Sequence, residues 1–83
     1  MKDTRTAIAT ELYESGKLRW DVGDFRSSID KLEQAALIYA ELKDHKLYIK
    51  CLTLCLRMYA EMEDTAKIHS IKDRLYDLSL IHI

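Results

Sequence analysis

Three aspartates, Asp24, Asp44 and Asp64, stand 20 residues apart. Two of them close near-copies of one phrase, Tyr39-Ala40-Glu41-Leu42-Lys43-Asp44 and Tyr59-Ala60-Glu61-Met62-Glu63-Asp64. A period of one helix length, with turn chemistry at every boundary, is the mark of a repeat array. Helical repeats stack and present surfaces. The pattern therefore points to a binding surface.

The spacing predicts four helices. The first runs from about Thr4 to Asp21, with Asp3 or Thr4 able to cap its free amides. Ala9, Leu12, Tyr13, Gly16 and Trp20 recur at steps of three and four, one helix face, which Ile8 widens. Val22-Gly23-Asp24 interrupts the pattern: Gly23 can take positive φ, and Asp24 can cap the next start. The second helix runs from about Phe25 to Lys43, with Phe25, Ile29, Leu32, Ala35, Ala36 and Tyr39 inward and Leu42 extending the face. Asp44 caps a third, from about His45 to Met62. Leu47, Ile49, Leu52, Leu54, Leu56, Met58, Tyr59, Met62 and both cysteines leave it apolar on most sides. A helix of that kind packs on more than one neighbour, so it is expected at the centre. Asp64 caps the fourth, from about Thr65 to Ile81, with Ile68, Ile71, Leu75 and Leu78 as its stripe. Each helix spans about 26 Å at 1.5 Å per residue, and short links force neighbours antiparallel. The expected fold is all-α, two stacked helical hairpins in one domain over residues 1–83, with repeats at 4–43 and 44–82.

Composition supports this. Proline is absent and glycine occurs twice, which favours long helices. Hydrophobic residues at 48% and charged residues at 33% exclude disorder. With 83 residues the chain buries only about 60–65% of its unfolded surface, so its packing must be dense or assisted by a partner. A net charge of −1 gives no global field for nucleic acid or membrane. No leader and no run of about 20 apolar residues is visible. Cys51 and Cys55, four apart in the most apolar helix, read as buried thiols of a reducing, cytoplasmic setting.

The stretch Leu12…Gly16…Gly23-Asp24-Phe25…Ser28-Ile29…Leu32…Ala35-Ala36 resembles the tetratricopeptide repeat family. That family places a small residue midway along its first helix, Gly-Asp-aromatic at the turn, and small residues where the second helix packs back. The continuation from Leu32 to Asp44 resembles the long variant of about 40 residues that lacks a terminal proline. In the second repeat Leu52, Leu56 and Tyr59 fit the first helix, and Glu63-Asp64-Thr65 replaces Gly-Asp-aromatic. Leu56 stands where a small residue is usual, and Lys72 where an apolar one is. The resemblance covers about residues 8–78. It implies a right-handed superhelix, a concave groove lined by the first helix of each hairpin, binding of peptides or proteins, and no catalysis; no cofactor or metal is expected. The groove positions it assigns are Thr10, Tyr13, Lys17, Trp20 and Asp21 from repeat one, with Lys50, Thr53, Arg57 and Glu61 from repeat two.

Lys17, Lys50 and Arg57 would make the groove basic, suited to a carboxylate or acidic peptide; the alternative is ordinary solvated charges. Family members that clamp a C-terminal carboxylate use a Lys/Asn set where Tyr13 and Lys17 stand, so that clamp is not present. Tyr13 and Trp20 are either peptide anchors or core at helical spacing, with core favoured for Tyr13 and Trp20 open. Cys51 and Cys55 could hold a soft metal with His45 or His69; inert buried thiols are the simpler reading. His69-Ser70-Ile71-Lys72 carries the His-x-x-Lys spacing of histidine phosphotransfer domains, an alternative function centred on His69. At the C-terminal end Leu78, Leu80, Ile81 and Ile83 cannot all face the preceding hairpin, and with Leu75 they are the candidates for self-association. They predict either a further repeat that covers them or self-association into a homo-oligomer.

Overall fold

The computed structural model describes residues 3–81, and the side chains of residues 3–77. It contains four helices, α1 (Thr4–Asp21), α2 (Phe25–Glu41), α3 (His45–Glu61) and α4 (Thr65–Ile81). No strand occurs among the described residues, and the fold is all-α. Every helix starts on an aspartate. The side chain of Asp3 accepts from the Arg5 amide at 2.9 Å, Asp24 from Ser27 at 3.2 Å, Asp44 from Leu47 at 3.2 Å and Asp64 from Lys67 at 3.1 Å. Each bond satisfies one of the free donors of a first turn. Of the two caps the sequence allows for α1, Asp3 is the one used.

The helix ends explain the 20-residue period. Gly23, Lys43 and Glu63 have φ of 82°, 60° and 57°. Their amides donate to Trp20, Ala40 and Ala60, while those of Asp24, Asp44 and Asp64 donate to Arg19, Tyr39 and Tyr59. This pair of bonds is the Schellman closure, with one left-handed residue after the helix. The aspartate that completes it also caps the next helix, so a three-residue link both stops and restarts the chain. The left-handed residue also ends α2 at Glu41 and α3 at Glu61, short of the expected Lys43 and Met62. Only the first link uses glycine. An L side chain at positive φ is strained, so Lys43→Gly and Glu63→Gly should each raise stability by about 0.5–1 kcal/mol. Urea unfolding measures this, and a lower midpoint would contradict it.

Consecutive helices pack on one another, and α3 lies between α2 and α4. On α1, Ala9, Tyr13 and Gly16 are buried and Leu12 and Trp20 half-buried. On α2, Ser28, Ile29, Leu32, Ala35, Ala36 and Tyr39 are buried, and on α3, Cys51, Leu52, Cys55, Met58 and Tyr59. Three expected core residues are corrected. Ile8 lies at the exposed edge of its face, Ile49 belongs to the early turns of α3, and Met62 is the residue that caps that helix; all three are exposed, at 46%, 42% and 38%. The described part of α4 has a narrower contact: Ile71 is buried, with Ile68 and Leu75 half-buried against the core. Arg74 adds an ion pair with Glu33 of α2 at 2.8 Å.

Gly16 sets the closeness of the first hairpin. A Cβ there would lie 2.8 Å from Leu32 Cγ. The bare backbone also lets the buried Ser28 hydroxyl donate to the Gly16 carbonyl at 2.6 Å. Arg5, at the start of α1, lies 3.5 Å from Glu41, at the end of α2, as antiparallel packing requires.

Candidate ligand groove

The first and third helices run in the same direction, and their side chains meet in register. On α1, Tyr13 and Trp20 are separated by seven residues; on α3, so are Lys50 and Arg57. Seven residues are close to two helical turns, so members of each pair project from nearly the same side. The Lys50 ammonium lies 5.9 Å from the centre of the Tyr13 ring, and the Arg57 guanidinium 5.9 Å from that of Trp20. Lys17, one turn beyond Tyr13 on α1, brings a second ammonium to the same ring at 5.3 Å. The result is two rows of cation and aromatic bridging the helices. Contacts at these distances are attractive through the ring quadrupole.

The expected anchors divide. Tyr13 belongs to the core at 7% exposure, so it forms a wall and not a projecting anchor. Its hydroxyl is buried and has no hydrogen-bond partner among the described residues. Burial pushes its pKa up, against the opposing charge of Lys17, so the phenol stays neutral. Trp20 is half-buried, with the Arg57 guanidinium over its ring. Thr10 and Thr53 are exposed, but each donates to its own helix, to the Thr6 carbonyl at 2.9 Å and the Ile49 carbonyl at 2.8 Å. Asp21 and Glu61 are exposed at the C-terminal ends of α1 and α3.

Lys17, Lys50 and Arg57 are exposed, and none forms an ion pair among the described residues. Arg5 and Arg74 do, with Asp3, Glu41 and Glu33. Glu14, between Tyr13 and Lys17 in the chain, adds a negative charge that is felt at the Tyr13 phenol.

Among the other sequence candidates, Cys51 lies near enough to Tyr13 for its charge to be felt at the phenol. Cys51 and Cys55 are fully buried, and burial, reinforced by the negative charge of Glu33, pushes both thiols up to about 12. Thiols held protonated are poor nucleophiles and poor metal ligands. Among the described residues no group of three or more His, Cys, Asp or Glu is placed to hold a metal. His69 is exposed on α4. Leu75 is half-buried against the core, whereas Leu78, Leu80, Ile81 and Ile83 lie outside the described side chains. The described outer surface of α4 is polar at His69, Lys72, Asp73 and Asp77, with Tyr76 exposed among them. No described helix is long and apolar enough to cross a membrane.

No protein-family model, curated protein or solved structure matches the chain.

Proposed function

We propose that the chain is a non-catalytic, tetratricopeptide-like interaction module that binds a peptide segment of another protein along the groove between α1 and α3. The observation that carries this reading is the pair of cation–aromatic rows. Lys50 meets Tyr13 and Arg57 meets Trp20, in matching register on two helices that run side by side. Long side chains held over rings form a pre-organised surface, which lowers the entropy lost on binding. The repeated turn and cap at Asp24, Asp44 and Asp64 supports the repeat-like reading of the framework. Selection from a peptide display library is the test. Enrichment of a sequence family that loses binding to a Lys50→Glu/Arg57→Glu variant is the expected result. Failure to enrich any peptide, or enrichment indifferent to those changes, would refute the groove as the binding surface.

The module also self-associates through the end of α4 in this reading. Tyr76 is exposed, and Leu78, Leu80, Ile81 and Ile83 follow it in sequence. Burying such side chains would contribute roughly 1.5–3 kcal/mol each. Light scattering on a size-exclusion column should give a mass above that of one 9.7 kDa chain, rising with concentration. A Leu80→Asp/Ile81→Asp variant should return it to the monomer. A wild-type monomer at every concentration would remove self-association from the proposal.

A further inference from the structure

The spacing of the groove's cations points to the chemistry of the ligand. We infer that the groove grips an acidic peptide segment in an extended, polyproline-II-like conformation, through two side-chain carboxylates three residues apart. This rests on the reading of the chain as a peptide-binding module and specifies its ligand class.

Lys17, Lys50 and Arg57 are exposed and lack an ion-pair partner among the described residues. Each has one side against an aromatic ring, which leaves its remaining donors available to an anion. Arg57 offers a planar fork that matches a carboxylate with two parallel bonds. Lys17 and Lys50 converge on one ring, so the first row presents two ammonium groups and the second row one guanidinium. Glu14, beside Tyr13 in the chain, adds one negative charge near the first row, which the two ammonium groups there outnumber.

Distance then selects the conformation. The rows are seven residues apart on each helix, about 10.5 Å at 1.5 Å per residue. A polyproline-II chain has three residues per turn and a 3.1 Å rise, so side chains at i and i+3 point the same way about 9.3 Å apart. A pleated strand sends i and i+3 to opposite faces. Its same-face pairs at i, i+2 and i, i+4 fall at about 6.7 and 13 Å, one too short and the other too long. A helical ligand is about 10–12 Å across, and to admit one Lys50 would have to leave the Tyr13 ring, from whose centre its ammonium lies 5.9 Å.

The test uses nine-residue peptides and the emission of Trp20, the chain's one tryptophan. A peptide with aspartates at i and i+3 should shift that emission and bind about tenfold more tightly than either version with one aspartate changed to asparagine. Moving the second aspartate to i+2 should give the same tenfold loss. Arg57→Gln should weaken the two-acid peptide about tenfold and leave one of the single-acid peptides unchanged. Lys50→Gln should spare the other single-acid peptide. Circular dichroism confirms that both variants remain helical. Equal affinity for the two-asparagine peptide, equal affinity at spacings two and three, variants without effect, or no binding by any of the peptides would each overturn the inference. The display selection separates its failure from that of the module itself. Enriched peptides without paired acids leave the module standing and remove the acid spacing; no enriched peptide removes both.

Discussion

Raising the pH from 8 to 11 should unfold the protein, with the loss beginning near pH 9. Cys51 and Cys55 are fully buried, and their pKa is pushed from 9.0 to about 12, chiefly by burial. Between those values the unfolded chain releases thiol protons that the native chain retains. The unfolded state then binds fewer protons, so stability falls as pH rises. The full contribution is present below pH 9 and is lost progressively towards pH 12. Each thiol contributes a slope of at most about 1.4 kcal/mol per pH unit. Two thiols over two pH units remove about 5 kcal/mol, a large part of what a domain of this size has. Tyr13, Tyr39 and Tyr59 are also raised by burial and act in the same direction. Urea unfolding at half-unit steps measures the slope. A Cys51→Ala/Cys55→Ala variant should be less stable at pH 7 yet lose less stability between pH 9 and 11. A second readout is chemical: at pH 8 the native thiols should react with a disulfide reagent at least about a thousandfold more slowly than those of the unfolded chain, from the difference in thiolate fraction. Flat stability from pH 8 to 10.5, or rapid native labelling, would contradict the account.

Much of the fold was legible because local chemistry decides it. Asp24, Asp44 and Asp64 cap helices wherever the chain is free to turn, and the faces through Leu32 and Leu52 follow from steps of three and four. The ends of α2 and α3 were misjudged because Lys43 and Glu63 carry no mark of positive φ. The signal was available in the period: both occupy the slot before the aspartate that Gly23 fills in the first link. The groove was legible only in part. Lys50 and Arg57 were visible as positively charged residues seven apart, as Tyr13 and Trp20 were as aromatics. That Lys50 would meet Tyr13 and Arg57 would meet Trp20 depends on the register of α1 against α3. That register is transmitted through α2, which packs against both helices, and no spacing within either helix contains it. The exposure of Ile8, Ile49 and Met62 has the same cause, since a residue at the edge or end of a helix is buried only if a neighbour extends far enough to cover it.

The contact between Gly16 and Leu32 allows a change of sign to be predicted. Leu32 is completely buried, and Leu32→Ala should cost about 2–5 kcal/mol through lost burial and the cavity left behind. Gly16→Ala has two opposed effects. Alanine favours the helix by about 1 kcal/mol over glycine. Its Cβ, however, would lie 2.8 Å from Leu32 Cγ, 3.0 Å from Leu32 Cδ2 and 3.3 Å from the Ser28 carbonyl. Because Leu32 is enclosed, its branch point cannot swing away, and overpacking of this kind costs typically 1–3 kcal/mol. In the native background the substitution should therefore destabilise, by up to about 2 kcal/mol. In the Leu32→Ala background both closest atoms are gone and the new methyl enters the cavity they leave. There Gly16→Ala should stabilise, by about 0.5–1 kcal/mol, as the helix preference outweighs the residual contact with Ser28. A four-way cycle of urea unfolding curves reads both steps. If Gly16→Ala has the same sign and size in the two backgrounds, Leu32 is not what keeps position 16 bare. The Ser28 hydroxyl bond to the Gly16 carbonyl would then be the stronger reason for the close approach of α1 and α2.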